Sequence, residues 1–315
     1  MGLAGCHILK GSKNTSSRVY SQIEIDEFEV KEKTPLISIE LLMKKPSYEV
    51  YIFHQHAMLL NLLLFYFFHI FLFKRDVEIV FDIHDLNEIK IKRFIISKIY
   101  WIIHEFNEII VFKLPIKYIT VSKGLARILY MKHKKPVFIY FNVCKPKSPK
   151  SLNEKDSQKL VYFGQLNEER LPLSVLNLFL EKGYAIDFYG TVNTASKEYL
   201  SYINSSKKLK FKGAFNSSDI QNIIVNYSYS LICIESRRPN IRFCCPNKLY
   251  QSLSVGVPCV VSNFLREVLI RHKSNAVTDI KAFLSGKSVS GFPKEYYEKI
   301  YKKNSEKYIE FLGSK

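Results

Sequence analysis

The stretch "FCCPNKLYQSLSVGVPCVVS", residues 243–262, decides the fold. A short amphipathic segment begins after Pro246 and ends at Gly256, and Pro258 and a β-branched run follow it. Proline favours the first position of a helix, glycine favours the position after its end, and a later proline prevents its continuation. Because the strand-like run "SLICIE", residues 230–235, precedes the segment, the pattern predicts a strand–helix–strand unit.

Apolar runs of strand length alternate with helix-length patterns along most of the chain. In the first half, the sequence predicts strands at 49–54, 77–83, 117–121 and 136–141 and helices at 57–73, 89–112 and 123–131. In the second half, the runs "LVYFG", "IDFYG" and "LKFKG" each end in a glycine, at Gly164, Gly190 and Gly213. This alternation is typical of parallel sheets. The expected fold class is therefore α/β, with two Rossmann-like parallel-sheet domains.

A segment rich in Lys, Ser and Pro separates the two series of strands. The 315 residues are enough for two domains with separate cores, and we expect the linker near 145–157. The sequence thus predicts an N-terminal domain at 1–150 and a C-terminal domain at 151–290. Residues 291–315 have apolar side chains at helical spacing, which predicts an amphipathic helix that packs across the domains.

The composition restricts the environment of the protein. There are 47 Lys and Arg against 29 Asp and Glu, a formal net charge of +18, which favours nucleic acid, phosphorylated small molecules or an anionic membrane surface as partners. Six cysteines without a C-x-x-C motif indicate a reduced, cytoplasmic protein, and the N-terminus lacks the apolar run of a secretory signal. We expect it in the cytoplasm or peripheral at the inner face of the cell membrane.

The most apolar segment of the sequence is "AMLLNLLLFYFFHIFLF", residues 57–73. It contains Asn61 and His69, and its 17 residues are at the short end of what crosses a hydrocarbon core. We expect a helix in the core of the first domain. A helix that also enters a membrane surface and a true membrane span remain alternatives.

Cationic residues surround the helix of the opening stretch. Arg237, Arg238 and Arg242 precede it, and Lys248 lies in its first turn. In an open parallel sheet, such a helix begins at the carboxyl edge, where ligands bind. Helix N-termini and cationic side chains both favour phosphate, so the pattern indicates an anion site. An arginine-rich loop that is merely solvated is the alternative.

The segment "PNKLYQSLSVGVPCVVS" resembles the donor-site element of GT-B fold glycosyltransferases of family 4, also called group 1. "VYFGQLNEERLP" and "KYITVSKGLARILY" are similar to other elements of these enzymes, in the same order, over residues 48–285. The resemblance implies two domains facing a central crevice. It also implies a metal-independent, hexosyltransferase-like enzyme without a cofactor, acting in the assembly of capsule, O-antigen or another surface polysaccharide.

The resemblance further implies a nucleotide diphosphate sugar as donor and a lipid-linked or oligosaccharide acceptor, with an anionic membrane surface nearby and no nucleic acid. Arg170 stands where such enzymes usually carry a Lys that contacts the diphosphate. The donor-site residues that it implies are Gly164, Arg170, Gly190, Gly213, Arg242, Asn247, Lys248, Tyr250 and Gln251.

Three positions depart from the family pattern. Gln251 and Phe243 replace two glutamates, and Gln165 replaces an arginine. These departures leave the retaining or inverting outcome open. They also keep two other hypotheses open: an inactive GT-B relative, and a basic protein that binds nucleic acid through phosphate contacts.

Histidines and aspartates follow two predicted strands of the first domain, in "FHQH" (53–56) and "FDIHD" (81–85). These residue types could bind a metal, but no further His and Asp cluster follows downstream, so we expect no metal site. The resemblance instead makes His56, His84 and Asp85 candidate contacts to sugar and acceptor, or a catalytic base if the enzyme inverts. Structural, hydrogen-bonded histidines are the alternative.

Overall fold

The computed structural model describes residues 6–10, 28–32, 43, 50–54, 59–86, 96–148, 156–192, 194–216, 219–272 and 275–313. The chain divides into two compact units. The first comprises Met1–Phe141 together with Lys303–Lys315, and the second comprises Asn142–Lys302. Within the described residues, each unit contains one six-stranded sheet in which every paired strand is parallel to its neighbour. The predicted α/β class is confirmed.

The first sheet has the strand order β2-β1-β3-β4-β5-β6. Its strands are β1 (Cys6–Lys10), β2 (Phe28–Glu32), β3 (Val50–His54), β4 (Glu78–Ile83), β5 (Lys117–Thr120) and β6 (Phe138–Ile139). Its helices are α1 (Leu59–Tyr66), α2 (Ile96–Val111) and α3 (Lys123–His133). Strands β1 and β2, which the sequence did not predict, pair with each other, and β1 also pairs with β3.

The core of the first unit lies on both faces of this sheet. Tyr51 and Phe53 of β3 pack into one apolar cluster, and Val50 and Ile52 pack into another. Successive side chains of a strand point to opposite faces, so a strand covered on both sides must be apolar throughout. This requirement explains the continuous apolar runs in the sequence.

The apolar segment 57–73 folds as α1 followed by a π-helical segment, Phe67–Leu72. Leu62 and Phe65 are completely buried, whereas Phe71 is 66% exposed. The helix therefore packs one face on the core, as expected, and leaves apolar side chains on its other face. Among the described residues, no helix is long and apolar enough to cross a membrane.

The second sheet has the strand order β12-β11-β10-β7-β8-β9. Its strands are β7 (Lys159–Phe163), β8 (Ala185–Tyr189), β9 (Leu209–Phe211), β10 (Tyr229–Ile232), β11 (Cys259–Val261) and β12 (Val277–Asp279). The helices of this unit are α4 (Leu173–Glu181), α5 (Lys197–Ser205), α6 (Ile220–Ile224), α7 (Pro239–Arg242), α8 (Asn247–Leu253), α9 (Arg266–Arg271) and α10 (Ile280–Leu284). The last helix, α11 (Lys294–Gly313), begins in the second unit and ends in the first.

Residues 243–262 form α8 and β11. Pro246 has an extended backbone (ψ 131°) and precedes the helix, so it occupies the N-cap rather than the expected first helical position. Gly256 has φ +75°, and the Val257 amide behind it donates to the Ser252 carbonyl. This is the left-handed helix end that glycine favours, as the sequence predicted.

Candidate functional site

Three glycines end three neighbouring strands of the second sheet. Gly164 follows β7, Gly190 follows β8 and Gly213 follows β9, with φ values of +114°, +143° and +87°. The Gly190 amide donates to the Gly213 carbonyl at 2.8 Å, and a Cβ on Gly190 would overlap the Gly164 carbonyl oxygen. The structure therefore brings the three predicted glycines side by side at the carboxyl edge, where the close approach of neighbouring strand ends requires residues without a side chain.

Lys248 of α8 reaches this edge. Its Nζ donates to the carbonyl oxygen of Phe163 and lies 5.0 Å from the centre of the Tyr162 ring. A Cβ on Gly164 would collide with the same ammonium group. Burial, and secondarily the charge of Arg170, lower the pKa of Lys248 to about 7. The amine is thus close to its titration point in neutral solution.

Arg170 lies in the loop after β7, which side-chain hydrogen bonds hold in place. The Asn167 Oδ1 accepts the Arg170 amide at 2.9 Å, and the Asn167 Nδ2 donates to the Thr194 Oγ1 at 2.7 Å. Gln165 donates to the same hydroxyl, also at 2.7 Å. The sequence analysis missed Asn167 and Thr194. An Asn three residues before Arg170 is the available signal, because Asn side chains often accept from a nearby amide in turns.

Two cations, Arg170 and Lys248, lie at this edge. The proximity of Arg170 lowers the pKa of Lys248, which shows that the two side chains repel each other. Within the described part of the chain, neither has an acidic salt-bridge partner. Clustered cations favour an anion. The arrangement can therefore hold a phosphate group.

Arg242 and Asn247 lie close to Lys248 in the sequence. Arg242 ends α7, with its guanidinium 5.6 Å from the centre of the Phe243 ring. Asn247 is the first residue of α8, and its buried Oδ1 has no hydrogen-bond partner among the residues that the structure describes. A buried carbonyl oxygen normally has a partner, so Asn247 is suited to accept a hydrogen bond from a ligand.

Tyr250 and Gln251, also implied by the resemblance, are both buried. The Tyr250 hydroxyl lies 3.3 Å from the His272 Nε2. Burial raises the pKa of Tyr250 and lowers that of His272 to about 4, so both groups are neutral at pH 7. Tyr250 thus has a structural partner within the core, and the structure does not bring its hydroxyl into contact with Lys248.

A carboxyl group that the sequence analysis missed follows β10, the strand beside β7. Glu235 lies close to the Cys233 thiol, with 3.6 Å between its Oε1 and the Sγ. Burial raises the pKa of Glu235. The available signal was its position, because an acidic residue just after a buried parallel strand lies at the ligand-binding edge of the sheet.

The first unit carries a separate polar cluster at the ends of β3 and β4. His54, Asp82 and His84 lie together, and His54 and Asp82 are cross-strand partners. Of the candidate catalytic residues, His84 belongs to this cluster and Asp85 follows it as an exposed residue. His56 lies outside the described residues.

Comparison with known proteins identifies the fold. No protein-family model matches the chain, and no curated protein matches its sequence. Among solved structures, AviGT4, a glycosyltransferase involved in avilamycin A biosynthesis, matches with a TM-score of 0.57 and 11% identity over 98% of both chains. An α-glucosyltransferase in complex with UDP and a 13-mer DNA containing a HMU base matches with a TM-score of 0.58 and 9% identity, covering 98% of this chain and 94% of that one.

A third structure, S. aureus TarM in complex with fondaparinux, α-GlcNAc-glycerol and UDP, has a TM-score of 0.51 and 12% identity. The match covers 84% of this chain but only 52% of TarM, so this chain spans about half the length of that protein. All three matches confirm the fold expected from the sequence: the chain has the GT-B fold, with its two Rossmann-like units.

Proposed function

We propose that the chain is a glycosyltransferase that moves a sugar from a nucleotide diphosphate sugar, with uridine diphosphate as the carrier, to a saccharide acceptor. The observation that carries the proposal is the electrostatic coupling of Arg170 with Lys248, whose ammonium group lies beside Gly164, with no acidic salt-bridge partner for either cation among the described residues. The UDP complexes of the α-glucosyltransferase and TarM support this choice of donor.

The reaction explains why two cations are needed. When the bond between sugar and diphosphate breaks, the departing nucleoside diphosphate gains negative charge. Fixed cations aimed at that charge stabilise the transition state more than the ground state. Arg170 suits this role because its planar guanidinium can bind two phosphate oxygens, and Lys248 adds a point charge. We assign the donor to the second unit and the acceptor to the first, where His84, Asp85 and His56 are the proposed polar contacts.

Nucleotide binding tests the proposal directly. The purified chain is mixed with UDP, GDP, CDP, ADP, their common sugar conjugates and uridine monophosphate, and its melting temperature is measured with each. We expect a rise in Tm with UDP and UDP-sugars that exceeds the rise with the corresponding uridine monophosphate, because the second phosphate engages the cation pair. The absence of any diphosphate-dependent rise would remove the basis of the proposal.

The low pKa of Lys248 makes nucleotide binding depend on pH. In the free chain the amine loses its proton above about pH 7, and a bound diphosphate raises its pKa, so binding takes up a proton at higher pH. We therefore expect the Kd for UDP to rise between pH 7 and 9, by up to about tenfold per pH unit. The phosphates, with their last pKa near 6, remain ionised throughout this range.

Calorimetry in two buffers of different ionisation enthalpy at pH 8 measures this proton uptake. The matched variant is Lys248→Arg, because a guanidinium stays charged at every pH used. Where this variant binds UDP, its Kd should be independent of pH. A native Kd that is flat between pH 7 and 9 would contradict the proposed contact between Lys248 and the diphosphate.

We further propose that the acceptor is lipid-linked, that the reaction belongs to surface polysaccharide assembly, and that the protein works in the cytoplasm at an anionic membrane. Five exposed apolar side chains form a stripe along α2: Ile99, Ile102, Ile103, Phe106 and Ile109. Helix α2 packs against α1, whose C-terminal extension exposes Phe67, Phe71 and Leu72. Contiguous apolar surface of this kind is typical of a membrane or protein contact.

Charge favours an anionic membrane as the partner of this surface. The exposed Lys74 and Lys113 follow the ends of the two apolar segments, and the net charge of the chain is +18. Each lysine near an anionic lipid surface contributes roughly 1 kcal/mol of attraction. Apolar side chains flanked by cations therefore suit the headgroup region.

The double substitution Ile102→Glu/Phe106→Glu tests membrane binding. We expect it to weaken binding to vesicles containing anionic phospholipid at least about tenfold, because burial of each apolar side chain contributes roughly 1.5–3 kcal/mol. Co-sedimentation measures the binding, and Ile270→Glu is the matched control, since Ile270 is 67% exposed in the second unit. Equal losses in both variants would contradict the assignment of the α2 stripe.

Binding to duplex DNA, measured with the same variants, tests DNA as the alternative acceptor. The α-glucosyltransferase was solved with DNA, and a basic chain can bind nucleic acid through phosphates alone. We expect DNA binding to fall steeply with salt and to be unaffected by Ile102→Glu/Phe106→Glu. DNA that acts as a sugar acceptor would replace the lipid-linked acceptor in the proposal.

An inactive relative is the remaining alternative, because Gln251 and Phe243 replace two family glutamates. An inactive relative would bind UDP without consuming UDP-sugars. Slow hydrolysis of a UDP-sugar to UDP by the native chain, absent when Arg170 is replaced by alanine, would support an active enzyme.

A further inference from the structure

Three polar atoms in the first unit point at one another with the spacing of a metal site. The His84 Nε2 lies 3.0 Å from the His54 Nδ1, and the Asp82 Oδ2 lies 3.0 Å from the His54 Nδ1 and 3.3 Å from the His84 Nε2. His54 and Asp82 are 2% and 0% exposed. The three atoms therefore form a nearly equilateral triangle inside the protein.

With Asp82 ionised, no assignment of protons gives each of the three contacts in this triangle both a donor and an acceptor. If only one imidazole carries a proton on its inward nitrogen, the inward nitrogen of the other imidazole presents a lone pair. That lone pair faces either a lone pair of the Asp82 carboxylate or the proton of the first imidazole. If both inward nitrogens of His54 and His84 are protonated, two N–H donors oppose each other across 3.0 Å. The outer nitrogen of His54, Nε2, has no hydrogen-bond partner among the described residues and so favours neither tautomer.

A single divalent cation satisfies all three atoms at once. A point about 1 Å out of the plane of the triangle is roughly 2.1 Å from each atom, the length of a bond from zinc to imidazole nitrogen or carboxylate oxygen. Two imidazoles and one carboxylate also form a ligand set of catalytic zinc and of non-haem iron, each with at least one position left for solvent or substrate.

The backbone holds this arrangement in place. Register pairs His54 directly with Asp82, and Asp82 and His84 are two residues apart at the end of β4, so they share one face of the sheet. Ligands carried by packed strands keep their geometry better than ligands on loops. His84 is 14% exposed, which gives an ion access from solvent.

We propose that His54, Asp82 and His84 bind one divalent transition-metal ion, zinc by preference. This ion would occupy the inward lone pairs of both histidines, so neither could accept a proton while the metal is bound. A water or hydroxyl group on the open position would instead be the acidic group of the site, because coordination to zinc lowers the pKa of bound water. The proposal goes beyond glycosyl transfer and does not depend on the nucleotide site of the second unit.

Cobalt and zinc binding test the site without an activity assay. The full chain, with no affinity tag, is treated with chelator, dialysed and titrated with Co²⁺, whose visible absorption reports low-coordinate nitrogen and oxygen ligands. Zn²⁺ then competes with the cobalt, and Mg²⁺ serves as the hard-cation comparison. We expect one equivalent of Co²⁺, displaced by Zn²⁺ but not by Mg²⁺. Zinc should also raise the Tm.

Two variants remove one ligand each. His84→Ala removes a partly exposed ligand, and Asp82→Asn retains the size of the buried side chain. Because even loss of an outer partner costs 10–100-fold in metal affinity, we expect each variant to weaken binding at least about 100-fold. His104→Ala, a histidine of α2 outside the cluster, should bind like the native chain, and circular dichroism confirms that each variant is folded.

Failure of this proposal is separable from failure of the proposed transferase activity, since UDP binding is measured on the same samples. A folded native chain that binds neither Co²⁺ nor Zn²⁺ would overturn the metal site. Metal binding that persists in both His84→Ala and Asp82→Asn would also overturn it, because other groups, such as the free cysteines, would then hold the ion.

Discussion

Replacing Lys248 by methionine should weaken UDP binding about 100-fold and remove the UDP-dependent rise in Tm. Methionine retains much of the length of the lysine side chain but loses the ammonium group, and truncating one partner of a buried charge pair costs roughly 2–5 kcal/mol. In the free chain this substitution removes an amine whose burial lowers its pKa to about 7, so the folded chain itself should tolerate it. Isothermal titration and thermal shift measure the two effects.

The matched control for this substitution is Lys182→Met. Lys182 is exposed and lies in the turn before β8, at the opposite edge of the same sheet from Gly164. The Lys182→Met variant should bind UDP like the native chain. Arg170→Ala should resemble Lys248→Met. If Lys182→Met lost as much affinity as Lys248→Met, general charge rather than a defined diphosphate site would explain nucleotide binding.

Replacing Gly190 by alanine should lower the free energy of unfolding by about 3 kcal/mol or more. Two costs combine at this position. Its φ of +143° is unfavourable for residues with a Cβ, and the new Cβ would overlap the carbonyl oxygen of Gly164. Backbone cannot move aside as a flexible side chain can, so the ends of β7 and β8 would have to separate. Urea unfolding measures the loss.

Gly286→Ala separates the two costs. Gly286 has φ +88°, but an added Cβ would meet no atom within 4 Å. This variant should lose only about 1 kcal/mol, the usual effect of a left-handed conformation alone. Similar losses at both positions would mean that the strand-end glycines are not in close contact. A Gly190→Ala chain that does not fold would agree with the larger cost.

The sequence predicted the architecture where local chemistry was sufficient. Backbone sterics explain the strand-end glycines and the helix end at Gly256, and burial on two faces explains the apolar strands β3 and β4. Both causes determine residue types within a short window of sequence. The position of Pro246 was wrong by one residue, because proline fits both the N-cap and the first turn, and only the measured ψ distinguishes them.

The parts that the sequence did not predict depend on contacts between distant residues. Nothing near Lys248 in the sequence indicates that its amine reaches Phe163, or that Arg170 lowers its pKa. The cluster of His54, Asp82 and His84 depends likewise on strand register, which a count of histidines cannot give. The stretches 53–56 and 81–85 contain all three residues, but we expected no metal site there because no further His and Asp cluster follows downstream.

Side chains from residues 303–313 pack in the core of the first unit, together with residues from the N-terminal part of the chain. Tyr308 stacks on Tyr140 with 4.1 Å between ring centres, and Leu312 joins the cluster around Val50 and Ile52. A ribosome therefore releases all of the second unit before it supplies the last side chains of the first. During synthesis the second unit can finish folding earlier, and the first should retain an open apolar face until Tyr308 and Leu312 have been added. Removal of the last ten residues should expose that face permanently and favour aggregation.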